Sequence, residues 1–224
     1  MTKIALIVAG GVGTRMGTAI PKQFLSLAGK PILMHTLQQF STEVDQLVLV
    51  LPENQIAYWQ NLCLKFDFKL PVLLVLGGKS RFESVRNGLS PIVGNGIVAV
   101  HDAVRPFVSS QIIKDAFEMA SLKGNAVVSV SLHDSIREVK DGRNKSVDRS
   151  LYRLIQTPQC FDLDFLKKAY QQPELSFFTD DASVAESVGC EIFLTQGSYD
   201  NIKITTPEDL VIGEAILKKN STML

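Results

Sequence analysis

Short apolar runs recur along the chain, separated by segments whose apolar positions lie three and four residues apart. The runs Lys3–Val8, Leu47–Leu51, Val72–Leu76, Ile97–His101 and Ala126–Val130 are rich in Val, Ile and Leu and hardly alternate. Runs of that kind are strands covered on both faces. After the first of them, Pro31 opens a helix whose Ile32, Leu33, Leu37 and Phe40 share one face. Ser80–Leu89 and Ser109–Ser121 read as further helices, each with a serine near its start as N-cap. Later, Ala182–Ser187 reads as a helix, Ile192–Leu194 as a strand and Pro207–Leu217 as a closing helix. The alternation predicts an α/β fold with a mainly parallel, doubly wound sheet.

One stretch breaks the pattern. In Ser131–Arg149, "SLHDSIREVKDGRNKSVDR", charge is dense and Ile136, Val139 and Val147 stand isolated among polar residues. Asp141-Gly142 marks a turn, so residues 131–149 are expected to form a hairpin arm protruding from a single domain spanning residues 1–224. An exposed ribbon is an edge hazard for a lone chain, which makes pairing with a second copy the natural expectation.

Composition narrows the function. The chain has 224 residues, of which 46% are hydrophobic, enough for a full core. Lys+Arg and Asp+Glu both total 23, so there is no net charge to favour nucleic acid or an anionic membrane as partner. Any anion site must be built locally, from a few positioned cations. No apolar run approaches the ~18 residues of a membrane span, and Ile4–Val8 is too short for the core of a secretory leader. Cys63, Cys160 and Cys190 are widely spaced with no CxxC pair, which suggests neither a disulfide framework nor a zinc site. The expectation is a cytoplasmic protein with reduced thiols.

The first apolar run ends in Ala9-Gly10-Gly11-Val12-Gly13, followed by Arg15 and Pro21-Lys22-Gln23. Met16 stands where the third glycine of a dinucleotide fingerprint belongs, and no glycine begins a P-loop. A glycine loop with Arg15 and Lys22 attached suits a triphosphate. Backbone N–H groups hold the oxygens, Arg15 grips them with its planar fork and Lys22 supplies a point charge. Asp102, in "IVAVHDAVRPF", follows a buried run. It can serve a Mg²⁺ that the phosphates also ligate, or cap the following turn. Arg105 can reach back to Asp102, and His101 reads as a packed, hydrogen-bonded residue. "GGKSRFESV" offers a second glycine turn, Gly77-Gly78, that lets a flat base lie against backbone, then a helix carrying Arg81 and Ser84. In "NIKITTPEDL", Ile202 and Ile204 bury one face of an expected strand and leave Lys203 on the other, while Thr206-Pro207-Glu208-Asp209 starts a helix. Arg149, at the root of the arm, is open between a second phosphate and plain solvation. There is no G-x-S-x-G elbow, Cys–His nucleophile or evident carboxylate pair. A reaction whose nucleophile is already ionised needs none of them, and a phosphate monoester, with a second pKa near ~6, is such a nucleophile.

The blocks "AGGVGTRMG…PKQF", "GGKSRFESV", "HDAVRPF", "QTPQCF", "TDDAS" and "NIKITTPEDL", in this order almost end to end, resemble the cytidylyltransferases of the non-mevalonate isoprenoid pathway. The resemblance implies a Rossmann-like nucleotidyltransferase fold and a homodimer joined through the arm. It also implies transfer from CTP to methylerythritol phosphate, with Mg²⁺ and release of pyrophosphate. Arg15 and Lys22 would stabilise the transition state, and Ala9, Gly10, Gly11, Gly78 and Ser84 would surround the nucleotide. Asp102 would sit near Mg²⁺ and substrate, and Lys203 would hold reacting phosphates. Ser135 and Arg149 would reach the acceptor from the partner's arm. Gly13, Arg81, Ala103 and Arg105 complete the expected substrate-binding set. Gly10 stands where the family often has alanine, a feature shared with ribitol-5-phosphate cytidylyltransferases. Ser135 replaces a usual threonine, and Lys79 takes a variable, often acidic place. D-ribitol 5-phosphate is therefore the alternative acceptor, and a nucleotide-binding module without turnover is a third reading. "HDAVRPF" and "DRSLYRLIQTPQCF" favour methylerythritol phosphate.

Overall fold

The computed structural model describes residues 1–9 and 20–222. In chain order its elements begin with β1 (Thr2–Val8), a 3₁₀ turn at Lys22–Phe24, β2 (Ser26–Leu27), β3 (Lys30–Pro31) and α1 (Ile32–Phe40). β4 (Gln46–Leu51), α2 (Glu53–Lys65), β5 (Leu73–Leu76), α3 (Arg81–Leu89) and β6 (Gly96–Asp102) follow. Next come α4 (Ser110–Lys123), β7 (Asn125–Ser131), the arm strands β8 (Arg137–Lys140) and β9 (Arg143–Ser146), and a 3₁₀ turn at Arg149–Leu151. The chain closes with β10 (Arg153–Asp162), α5 (Leu163–Ala169), α6 (Asp181–Glu186), β11 (Leu194–Gln196) and α7 (Pro207–Thr222).

The uniformly apolar runs become strands because both of their faces are covered. Along β1, Ala5 and Ile7 pack with α1, α2 and α4 residues such as Leu37, Trp59 and Phe117. Ile4, Leu6 and Val8 pack on the opposite side with Phe82, Val85 and Leu166 of α3 and α5. A third cluster, Leu27, Ile32, Val104, Phe107, Ile204 and Ile216, seats α7 on the end of the molecule that carries the β2–β3 hairpin.

The seven-stranded sheet runs β11-β7-β10-β6-β1-β4-β5. Its pairs are parallel except the two made by β10, which is antiparallel to both β6 and β7. From β1 the chain winds outward through β4 and β5, then returns to the other side of β1 as β6. The reversal opens a crevice beyond the carboxyl ends of β1 and β6, where Val8 and Asp102 lie in register. Ligands of open α/β sheets collect at such a point.

β10 is the element that hydrophobic patterning does not predict. Its centre, Gln156-Thr157-Pro158-Gln159, is buried yet polar. Proline removes a ladder donor, and the pairing with β7 shifts register between Ile155 and Gln159 to accommodate it. The buried amides are satisfied from afar, Gln156 by Ser198 and Asn201, Gln159 by Asp180 and Ala182. Two helices are also missing from the expectation, although Ile56, Trp59, Leu62 and Cys63 of α2 and Leu163, Leu166 and Ala169 of α5 are helically spaced. The strand expected around Lys203 is a correction. Residues 201–205 carry no regular secondary structure and lie outside the sheet, and Ile204 donates one backbone bond to Val104 at 2.9 Å. β11 begins at Leu194, at the end of the expected run.

The arm hairpin follows its sequence. Asp141 and Gly142 take φ of +50° and +74°, the doubly left-handed turn that joins two-residue hairpins. All the residues of β8 and β9 are exposed.

Candidate active site

Asp102 ends β6 with its side chain in the crevice, and positive charge converges on it from three other segments. Lys203 Nζ lies 3.0 Å from Asp102 Oδ2 and Arg105 Nε 3.2 Å from the same oxygen, while Arg81 Nε stands 3.9 Å from Oδ1. Burial alone would raise the Asp102 pKa, but Lys203, Arg81 and Arg105 more than offset it and hold the carboxyl well below its usual range. Arg105 is fixed in turn, donating from Nη1 to the Asn201 carbonyl at 2.9 Å.

Beneath this cluster a buried relay sets the protonation of His101. Its Nε2 lies 3.0 Å from the Arg105 carbonyl, which can only accept, so Nε2 carries the proton. The bare Nδ1 then accepts from the Thr157 hydroxyl at 3.0 Å, and Thr157 Oγ1 accepts from the Asp102 N–H at 3.1 Å. Burial lowers the His101 pKa from 6.5 to about 4. A base whose folded pKa is depressed stabilises the fold fully above its unfolded value and loses that contribution as pH falls toward the folded one. Chemical denaturation is therefore expected to show stability falling between pH 6.5 and 4 by up to about 3 kcal/mol from this group. His101→Gln, which keeps a donor for Arg105, is expected to flatten the curve there; an unchanged slope would refute the assignment.

Two cavities flank Asp102. One of about 220 Å³ is lined by Ala9, Lys22, Gln23, Lys79, Ala103 and Val104 together with Arg81, Asp102 and Lys203. The other, about 250 Å³, shares Arg81, Asp102 and Lys203 and adds Arg105, Ile155, Thr157, Thr179 and Asp180. The first sits at the end of β1. There Gln23, 1% exposed, donates from Nε2 to the Ala9 carbonyl at 3.1 Å and to Gln55 Oε1 at 2.5 Å. The 3₁₀ turn carrying Lys22 is thereby tied to the strand end.

The sequence-predicted residues divide as follows. Lys22, Ala9, Ala103, Arg81, Asp102, Arg105 and Lys203 line one or both cavities. Gly10, Gly11, Gly13 and Arg15 lie outside the described residues. Gly78 and Ser84 shape the turn that precedes α3. The Ser84 hydroxyl donates to the Ser80 carbonyl at 2.8 Å and accepts from the Gly78 N–H at 3.1 Å, and the side chain is buried. A Cβ on Gly78 would stand 2.2 Å from Glu83 Cβ, so close packing on α3 demands glycine there. Ser135 and Arg149 lie exposed on the arm, and neither lines either cavity. Arg149 donates to the His133 carbonyl at the arm's base. Thr157, Thr179, Asp180 and Gln23 were legible only as parts of the quoted blocks, because their partners lie far away in sequence.

A single carboxylate does not make a metal site, and no group of three or more His, Cys, Asp or Glu poised for a metal occurs among the described residues. Asp102 Oδ2 is committed to Lys203 and Arg105, whereas Oδ1 has the more distant Arg81. That oxygen fits the one protein donor that a Mg²⁺ carried on a nucleotide requires.

A mostly parallel sheet with cations and a carboxylate at its switch point, between two cavities, defines an α/β protein with a cation-lined crevice at the carboxyl ends of its strands. Known proteins narrow this class. The family model described as 2-C-methyl-D-erythritol 4-phosphate cytidylyltransferase matches residues 3–219. A protein of that name from Porphyromonas gingivalis is 49% identical over 216 residues, covering 96% of this chain and 97% of the relative. One from Bacteroides fragilis is 46% identical over 219 residues, covering 97% and 100%. Among solved structures, 4-diphosphocytidyl-2C-methyl-D-erythritol synthase from Anaerococcus prevotii superposes with a TM-score of 0.84 at 26% identity, covering 97% of this chain and 96% of that one. The Francisella tularensis 2-C-methyl-D-erythritol 4-phosphate cytidylyltransferase gives 0.80 at 30% identity, covering 96% and 100%. The chain belongs to the 2-C-methyl-D-erythritol 4-phosphate cytidylyltransferase family.

Proposed function

We propose that the chain transfers the cytidylyl group of CTP to 2-C-methyl-D-erythritol 4-phosphate, giving the CDP-alcohol and pyrophosphate. The observation that carries this reading is the meeting of two cavities across Arg81, Asp102 and Lys203 in a chain of this family. The nucleotide occupies the cavity beside Ala9 and Lys22, and the acceptor phosphate the one beside Arg105 and Thr157. A phosphate monoester is largely dianionic at neutral pH, with its second pKa near ~6. One of its oxygens attacks the α-phosphorus in line, forming a new P–O bond as the bond to the β-phosphate oxygen breaks and pyrophosphate departs. No base is required, and His101 is unsuited to be one, since its proton and its lone pair are both committed. Lys22 and Lys203 supply fixed positive charge as negative charge builds on the phosphorus oxygens. Asp102 would hold a Mg²⁺ carried on the nucleotide, which would supply charge neutralisation to the triphosphate.

The reading includes a homodimer in the cytoplasm, where the free thiols Cys63, Cys160 and Cys190 stay reduced. Support for a second copy comes from the exposed apolar residues Leu151, Tyr152, Leu154 and Ile155, which follow the hairpin in sequence, Ile155 lining the acceptor cavity. In this reading a second chain covers these residues and supplies its Ser135 and Arg149 to the acceptor. Arg149→Ala is therefore expected to raise the acceptor KM about tenfold, the worth of one charge-assisted hydrogen bond, with CTP affinity almost unchanged. The opposite split, CTP weakened and acceptor intact, would refute the arm's role.

A pyrophosphate-release assay with Mg²⁺, pairing CTP or UTP with methylerythritol phosphate or D-ribitol 5-phosphate, tests the reading. The highest kcat/KM is expected for CTP with methylerythritol phosphate. Release without an acceptor, or preference for ribitol phosphate, would overturn it.

A further inference from the structure

Arg81 occupies an unusual place. It is the first residue of α3, where the helix dipole disfavours a cation, and its neighbours Ser80 and Glu83 already satisfy local N–H groups. It lines both cavities, yet its two terminal nitrogens are already engaged by protein. Nη1 and Nη2 donate to the two oxygens of Asp181 at 3.1 and 2.6 Å, a bidentate pair across 100 residues of sequence. Asp181 is fully buried, and Tyr170 donates its hydroxyl to Asp181 Oδ1 at 2.6 Å. The Tyr170 ring stacks on Phe82, the next residue of α3, with centroids 4.7 Å apart. The start of α6 is itself pinned to the sheet. Gln159 of β10 donates to Asp180 Oδ2 at 2.9 Å and accepts from the Ala182 N–H at 2.9 Å. A continuous set of contacts thus runs from the sheet through α6 to Arg81, whose remaining edge, Nε, faces Asp102 Oδ1 at 3.9 Å.

We infer that Asp181 and Tyr170 are positioning residues for the proposed transfer, holding Arg81 as a fixed wall between the two cavities. So held, Arg81 braces the Asp102 carboxylate through Nε and keeps its fork from closing on a bound phosphate in an unproductive pose. A guanidinium released from Asp181 would be a strong bidentate anion ligand at the boundary of both substrates. The inference rests on the proposed cytidylyl transfer.

The test compares wild type, Asp181→Asn, Asp181→Glu and Tyr170→Phe. It measures kcat and KM for each substrate, CTP binding by calorimetry and folding by circular dichroism. Asp181→Asn is expected to lower kcat by at least about tenfold while CTP binds as tightly as before or more tightly, the signature of lost transition-state rather than ground-state interactions. Asp181→Glu, which keeps the charge, is expected to recover part of the loss. Tyr170→Phe retains the ring stack and is expected to lower kcat by about two- to fivefold in the same pattern. Should Asp181→Asn fail to fold, Tyr170→Phe decides alone. Wild-type kcat in the variants, or CTP affinity falling in step with kcat, would overturn the inference. A wild-type chain that transfers nothing would instead count against the proposed function.

Discussion

Lys22→Ala is expected to lower kcat by about 10² to 10³, equivalent to ~3–4 kcal/mol of transition-state stabilisation, with little change in KM. Lys22 begins the 3₁₀ turn and lines the cavity proposed for the nucleotide. Its backbone is held through Gln23, which is buried and bonded to Ala9 and Gln55. Removing the ammonium should therefore delete a charge without moving the turn. Steady-state kinetics with both substrates checks this. A raised CTP KM with unchanged kcat would mean that Lys22 binds the triphosphate equally before and during the reaction, and the role assigned to it would be wrong.

Asp102→Asn is expected to act on stability and activity together. Its carboxylate is the shared counter-ion of Lys203 and Arg105 and lies near Arg81. An amide of the same shape leaves these cations without their partner in a largely buried place. Breaking a fully buried pair costs about 3–5 kcal/mol; because the Lys203 side chain is 39% exposed and the Arg81 side chain 31%, solvent screening brings the expected loss to about 2 kcal/mol at neutral pH. The sign of the pH dependence follows from the lowered carboxyl pKa. A depressed acid contributes fully above its unfolded value and loses the contribution as pH falls through the folded one. Urea titrations should thus show wild type the more stable at pH 7, with the gap closing only as pH falls below about 4 toward the lowered carboxyl pKa. Activity is expected to fall by about 10² or more, because Lys203 loses the contact that aims it. Equal stability at pH 7 would contradict the ion-pair account.

Much of this was legible in the residues, and what was not has a common cause. β1, β4 and β6 betray themselves by unbroken apolar runs, since both faces of each strand are covered. The arm is legible from Asp141-Gly142, where local backbone geometry decides the outcome. That Lys22 and Asp102 line the crevice follows from their place in the chain, Lys22 after the glycine loop that ends the first apolar run and Asp102 at a strand end, where ligands of open sheets gather. β10 is hidden because Gln156, Thr157 and Gln159 break the apolar pattern, and they are tolerated inside only because Asn201, His101 and Asp180 supply partners from elsewhere in the chain. The pairing of Arg81 with Asp181 has no local signature for the same reason. Polar burial is a property of the assembled fold, so the residues that set the site's protonation and posture are the ones sequence periodicity passes over.

At the centre of the account is the claim that the protein contributes fixed charge while the acceptor contributes the nucleophile. The stereochemical course at the α-phosphorus tests this directly, with CTP carrying sulfur at one diastereotopic α-oxygen as the donor and methylerythritol phosphate as the acceptor. A single in-line displacement predicts clean inversion in the CDP-alcohol product. Retention, the mark of two successive displacements through a side chain of the protein, would contradict it.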